Sequence, residues 1–158
     1  TGHSFIKAKL KETGAALGGE MSGHIFFKER WYGFDDALYA GARLLEILSK
    51  TDQTCEQVFA NLPDSYNTPE INIHFDEPGQ QFSAMDKLAN NVSFDGAKIT
   101  TLDGVRVDYP NGWGLVRPSN TMPCLVLRFE ADDENTLIEI QEKFRIWLGS
   151  NDISTKDF

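Results

Sequence analysis

The 158 residues are 41% hydrophobic and 25% charged, an ordinary globular composition that excludes a disordered chain and allows a real core. Fifteen Lys and Arg against 24 Asp and Glu give a formal charge of −9, which excludes a general nucleic-acid surface, since phosphate backbones need clustered cations. No apolar run approaches the roughly 20 residues that span a bilayer and no basic-then-apolar leader is present, so the chain reads as soluble, with neither membrane nor nucleic acid as partner.

In chain order, "HSFIKAKLKE" (3–12) puts Phe5, Ile6 and Leu10 on one helical face, with Gly14 at the C-terminus. "AALGGE" and "IFFKERW" then read as two strands of a hairpin with a wide loop, "MSGH", between them. Residues 35–49 form the clearest helix, capped by Asp35 or Asp36, with Leu38, Ala42, Leu45 and Leu48 at helical spacing. A short helix over 54–61 ends at Pro63, and the aromatic run Trp31, Tyr32 and Phe34 reads as packing beneath the longer helix. "LPDSYNTPE" concentrates turn formers, and a hinge or linker is expected over 63–69.

Beyond it, "EINIHFDE" alternates as a half-buried strand, and 80–92 form a helix through Phe82, Met85 and Leu88. "KITTLDGVRVDY" reads as a hairpin with Asp103-Gly104 as its two-residue turn, and Asn111-Gly112 as a second turn leading into "WGLVR". "CLVLRFEA" is the most apolar strand, and the last helix, capped by Asp132 or Asp133, turns Leu137, Ile140, Phe144 and Leu148 inward. The last ten residues are polar and are expected to fray. The fold class expected is α+β: residues 70–158 form an antiparallel sheet with two helices on one face, preceded in 1–62 by the α/β tail of another domain. The first residues already carry the pattern of mid-fold, so a fragment is expected. Cys55 and Cys124 lack the spacing of a metal or redox pair and read as two buried free thiols, which points to a reducing, cytoplasmic compartment.

Two loops carry chemistry. In "LVRPSNTMP", Arg117 offers a planar fork of donors matched to phosphate, Ser119, Asn120 and Thr121 add neutral donors, and Pro118 and Pro123 stiffen the turn. On residue types alone the stretch is equally a surface turn whose polar side chains satisfy their own backbone. In "GGEMSGH", Glu20, Ser22 and His24 alternate, so an extended loop would aim a carboxylate, a hydroxyl and an imidazole the same way, a set suited to polyol recognition or proton transfer. Taken singly, Glu20 is equally a solvated loop charge and His24 a strand-edge histidine. His3 and Lys7 share a helix face, and His74 faces solvent on its strand.

Together the loops are recognisable. "GEMSGH" at 19–24 with "RPSNTMP" at 117–123 resembles the α-D-phosphohexomutase superfamily, and Met21 resembles its bacterial phosphomannomutase/phosphoglucomutase branch rather than the glucosamine-phosphate branches, which tend to carry Gln there. "TGHSFIK", "FFKERWYGFDDALYA" and "TTLDGVRVDYPNGWGLVRPSNT" extend the likeness over nearly the whole chain. The resemblance implies the end of the third domain and the whole fourth domain of a four-domain isomerase, the fourth folded like the TATA-box-binding protein without implying DNA binding. It implies that Glu20 and Ser22 bind sugar hydroxyls, that His24 is a candidate proton acceptor near the reacting oxygen, that His3 lines the cleft, and that Arg117, Ser119, Asn120 and Thr121 grip the substrate's phosphate. The implied reaction interconverts mannose or glucose 1- and 6-phosphates through a phosphoserine and a hexose 1,6-bisphosphate intermediate, with Mg²⁺.

This chain has neither the family's serine motif nor its acidic Mg²⁺ loop. It is therefore expected to hold no metal, to be inactive alone, and to have as partners hexose phosphates and the missing N-terminal domains. The alternatives are a stand-alone, non-catalytic sugar-phosphate-binding module and a protein-interaction domain built on the exposed sheet.

Overall fold

The computed structural model describes residues 2–156 and 158, which fall into two compact units that meet in sequence at Pro63 and Asp64. In the first unit, helix α1 (His3–Thr13) ends on Gly14, whose φ of 69° is the left-handed conformation that stops a helix. Leu10 is its buried residue, while Phe5 stays 69% exposed. Strands β1 (Leu17–Gly19) and β2 (Ile25–Phe27) pair antiparallel as Leu17↔Phe27 and Gly19↔Ile25, so the expected hairpin forms, with a second strand that covers only the apolar start of the expected "IFFKERW". Past Phe27 the Lys28 and Glu29 N–H groups share one acceptor, the Ala16 carbonyl, which breaks the ladder, and Arg30 then turns the chain at a φ of 59°.

Helix α2 (Ala37–Ser49) is capped by Asp36, which accepts from the Tyr39 N–H, and a short α3 (Cys55–Phe59) opens with a Thr54–Gln57 capping box. The face of α2 toward the hairpin is not the leucine stripe. Tyr39 packs edge-on against Phe27 and stacks on Trp31 with 4.2 Å between centroids, and the Arg43 guanidinium lies 4.6 Å from the Phe27 ring centre. Arg30 grips Glu46 with two hydrogen bonds, and Arg43 bridges Glu29 and Glu46. Leu38 and Leu45 are left 88% and 67% exposed, and Tyr32 and Phe34 stack on each other at the surface rather than beneath the helix. Cys55 is an exposed thiol, not a buried one; Cys124 is buried.

The second unit is the expected antiparallel layer. Strands β5 (Lys98–Thr100), β6 (Val105–Tyr109), β7 (Gly112–Pro118) and β8 (Cys124–Ala131) follow in spatial order, and β8's far edge pairs with β3 (Tyr66–Asn67) and β4 (Ile71–His74). Residues 66–68 of the expected linker thus belong to the sheet: the Thr68 N–H donates to the Phe129 carbonyl, and its hydroxyl accepts from the Phe129 N–H. Helices α4 (Gln80–Asn90) and α5 (Glu134–Ser150, capped by Asp133) share one core with the sheet through Met85, Leu88, Leu137, Ile140, Phe144 and Leu148. Each such buried side chain contributes about 1.5–3 kcal/mol by leaving water.

Three local expectations change. The buried face of α4 is Gln81, Met85 and Leu88, with Phe82 43% exposed, one position off the apolar pattern. The β5–β6 connection runs over residues 101–104, because Thr100 pairs with Arg106, and β6–β7 turns on Pro110 and Asn111, because Tyr109 pairs with Gly112. The C-terminal segment does not fray: Asn151 is buried, and Phe158 stacks on Phe129 with 5.1 Å between centroids while its carbonyl accepts from Arg145. Among the described residues no helix is long and apolar enough to cross a membrane.

Candidate functional site

The first unit's loop is built on the β1–β2 hairpin. It is not extended: the Glu20 N–H donates to the His24 carbonyl, the Gly23 N–H donates back to the Glu20 carbonyl, and Gly23 takes a φ of 91° that few other residues adopt. Alternation therefore does not aim the three side chains. Instead Glu20 and His24 form the neck of a closed turn, with exposed Ser22 at its tip. Glu20 Oε2 accepts from the Gly2 N–H at 3.3 Å, which tethers the loop to the start of α1 and brings exposed His3 to the same end of the unit. Glu20 Oε1 is buried and has no hydrogen-bond partner in the protein. A buried carboxylate oxygen without a donor is costly, and a ligand hydroxyl would satisfy it.

His24 has a partner that sequence reasoning assigned elsewhere. Its Nδ1 lies 2.6 Å from Asp35 Oδ2. Asp35 and Asp36 were interchangeable as caps, but Asp36 takes the helix and Asp35 the imidazole. With Nδ1–H donating to the carboxylate, Nε2 keeps its lone pair, the form a proton acceptor needs.

In the second unit, the candidate turn joins β7 to β8. The Ser119 N–H donates to the Cys124 carbonyl at 2.9 Å, and Ser119 Oγ accepts from the N–H groups of Thr121 at 3.3 Å and Met122 at 3.2 Å. Ser119 is 7% exposed: its lone pairs hold the turn, and its proton, the donor of the sequence reading, is left 3.4 Å from Thr121 Oγ1. The N–H groups of Thr121 and Met122 are spent on Ser119 Oγ and face no ligand. Among the described residues, the Arg117 guanidinium and the Asn120 side chain have no partner in the protein. Every other arginine of the chain except Arg128 is paired with a carboxylate.

Two residues that sequence reasoning missed support this turn. Gly104, at φ 95°, lies flat against it: a Cβ there would fall 2.2 Å from the Val116 carbonyl oxygen and 2.6 Å from Arg117 Cα. Buried Gln81 donates from Nε2 to the Ser119 carbonyl at 3.2 Å. A polar residue interrupting the apolar face of α4 was the available signal for Gln81; nothing local marked Gly104 as more than a turn glycine. His74 is exposed on its strand, as its alternation predicts. Among the described residues no group of three or more His, Cys, Asp or Glu side chains is placed to hold a metal ion.

The first unit is thus a helix-and-hairpin piece of an α/β layer, the second a full antiparallel α+β layer, and each ends in a structured polar loop. Comparison with known proteins gives these pieces a family. The family described as phosphoglucomutase/phosphomannomutase, alpha/beta/alpha domain III, matches residues 1–66, and its C-terminal domain matches 70–146. A phosphomannomutase/phosphoglucomutase of Pseudomonas putida is 60% identical over 94% of this chain and 32% of its own length. A phosphoglucomutase of Neisseria meningitidis is 57% identical over 96% of the chain and 33% of its own, and a probable phosphoglucosamine mutase of Methanocella arvoryzae is 35% identical over 84% and 30%. A crystal structure of a phosphoglucomutase/phosphomannomutase family protein from Burkholderia thailandensis superposes with a TM-score of 0.87 at 51% identity, over 96% of this chain and 32% of that one. The chain belongs to the phosphoglucomutase/phosphomannomutase family, and it spans about a third of the length of the curated relatives it matches.

Proposed function

We propose that this chain acts as the C-terminal third of a phosphohexomutase that interconverts the 1- and 6-phosphates of mannose and glucose. In this reading Glu20 and Ser22 hold sugar hydroxyls, His3 lines the same cleft, and His24 accepts the proton of the attacking hydroxyl through the Nε2 that Asp35 leaves free. Arg117, Asn120 and Thr121 hold the non-reacting phosphate, and Ser119 contributes its hydroxyl proton while fixing the turn. The phosphoserine and the Mg²⁺ ligands lie outside this chain, hexose 1,6-bisphosphate is the intermediate, and the exposed, free Cys55 fits a reducing cytoplasm.

The observation that carries the reading is the unpaired Arg117 guanidinium. In a chain with 24 carboxylates, a planar fork left without one, beside an unpaired Asn120 on a turn whose remaining groups are fixed, is a preformed anion site. The orphan acceptor on Glu20 supports the sugar half of the assignment. The bare Leu38–Leu45 stripe of α2 supports a longer polypeptide, because an apolar helix face of an α/β/α layer is ordinarily covered.

A chimera joining the first two-thirds of the Pseudomonas putida relative to this chain tests the proposal. It should turn over glucose 1-phosphate in a coupled assay, and the chain alone should not. Turnover by the chain alone, or a folded chimera that binds glucose 6-phosphate without turnover, contradicts the assignment, the second result favouring a non-catalytic module.

A further inference from the structure

Arg117 and Asn120 work only if the backbone between them holds its shape, and neither Pro118 nor the Ser119 side chain fixes the direction of the Ser119 carbonyl. The group that does comes from elsewhere in the fold. Gln81 stands in the first turn of α4 and is 5% exposed. Its Oε1 accepts from the Gly79 N–H at 2.9 Å, and its Nε2 donates to the Ser119 carbonyl at 3.2 Å. The two partners are of opposite kind, so only one orientation of the amide satisfies both; the flipped one sets oxygen against carbonyl and N–H against N–H. Ser119 is thereby held on three sides, by Gln81 at its carbonyl, by Cys124 at its N–H, and by the Thr121 and Met122 N–H groups at its hydroxyl. The Gln81 bond reaches Ser119 from outside its own hairpin, while the far end of the turn is held from outside by the Phe75 N–H, which donates to the Pro123 carbonyl at 2.8 Å.

We propose that Gln81 is a positioning residue for the anion turn: it couples the N-terminus of α4 to the Ser119 carbonyl and so fixes the spacing of the Arg117 and Asn120 donors. This rests on the reading of residues 117–121 as the phosphate grip. An apolar replacement leaves the Ser119 carbonyl buried and unpaired, and the peptide that carries Asn120 is then free to rotate. Phosphate affinity falls even where the sheet is intact, because the donors must be ordered on binding rather than beforehand.

The test is titration of this chain with glucose 6-phosphate, read from backbone amide NMR shifts, for wild type and for Gln81→Met, Gln81→Glu and Arg117→Ala. Gln81→Met is expected to weaken binding about 3- to 10-fold, with free-state shift changes centred on 119–122. Gln81→Glu separates positioning from mere support. A buried carboxyl is pushed to a raised pKa; charged, it cannot donate to the Ser119 carbonyl, while protonated it restores both the donor and the acceptor. The affinity of Gln81→Glu, taken as a ratio to wild type at each pH, should therefore recover toward one as pH falls, and that of Gln81→Met should not. If Gln81→Met unfolds, this ratio decides alone. Wild-type affinity in Gln81→Met, or a pH-independent ratio in Gln81→Glu, with wild type binding at 117–121 and Arg117→Ala not, overturns the role of Gln81 and leaves the phosphate grip standing. A wild-type chain with no shifts at 117–121 overturns both.

Discussion

His24 and Asp35 stand eleven residues apart in the chain and 2.6 Å apart in space, Nδ1 to Oδ2, one at the neck of a hairpin loop and the other just ahead of the helix that packs on that hairpin. The pair fixes which imidazole nitrogen carries the proton. In the chimera, Asp35→Asn should lower kcat by about 10- to 100-fold, as a share of the 10²–10⁴ that a positioned acid or base supplies, and leave KM within about 3-fold. Side-chain ¹⁵N NMR of His24 in the chain itself provides a direct check: the Nδ1–H tautomer should dominate in wild type and not in Asp35→Asn. A wild-type spectrum dominated by Nε2–H refutes the pairing.

Arg117→Lys asks whether the guanidinium acts as a fork or as a charge. Both residues keep the charge, but only Arg presents parallel donors to two phosphate oxygens. Glucose 6-phosphate affinity should fall about 10-fold in Arg117→Lys and further in Arg117→Ala, consistent with roughly 1.5–3 kcal/mol for a hydrogen bond to a charged group. Equal affinities for Lys and Arg would show that charge alone suffices.

Acid should loosen the first unit through Glu46. Hydrogen bonds from Arg30 and then Lys50 hold its carboxyl at about 2, down from the ordinary 4.5. Because the folded value is the lower one, the contribution to stability is complete above pH 4.5 and is lost as pH falls from 4.5 toward 2. The Phe27 and Tyr39 resonances should report that loss, and Glu46→Gln should flatten it. Added salt should shrink the effect, since these groups face solvent.

Much of this was legible beforehand because it is periodic. Leu137, Ile140, Phe144 and Leu148 at helical spacing, and Ile71, Ile73 and Phe75 in alternation, announce buried faces that the structure contains. What stayed hidden depends on partners distant in sequence. Asp35 and Asp36 are equal as caps until the hairpin supplies an imidazole to one of them. Gln81 is only a polar interruption on the face of Met85 and Leu88 until Ser119 arrives from 38 positions away. Ser119, Asn120 and Thr121 look like three equal donors, and only the turn's own hydrogen bonds show that Ser119 is committed while Asn120 is not. The leucines of α2 are the opposite case: their pattern is that of a buried face, and the described residues of this chain do not cover it.

Two glycines of the second unit separate damage to the site from damage to the fold. A Cβ on Gly114 would meet Phe144 at 2.5 Å and Phe129 at 2.9 Å, inside the core. A Cβ on Gly104 would instead meet the Val116 carbonyl oxygen at 2.2 Å and Arg117 Cα at 2.6 Å, and the backbone there already has φ 95°. Gly114→Ala therefore overpacks by about 1–3 kcal/mol, seen as a lower urea midpoint in the amide signals of the second unit. Gly104→Ala adds the strain of a side chain at positive φ, and the clash is with backbone that cannot swing aside as a side chain can. The strands must part at Arg117, so Gly104→Ala should lose glucose 6-phosphate binding under conditions where it is still folded, whereas Gly114→Ala should bind as wild type until it unfolds. If the two variants lose affinity in proportion to stability, Gly104 has no special claim on Arg117.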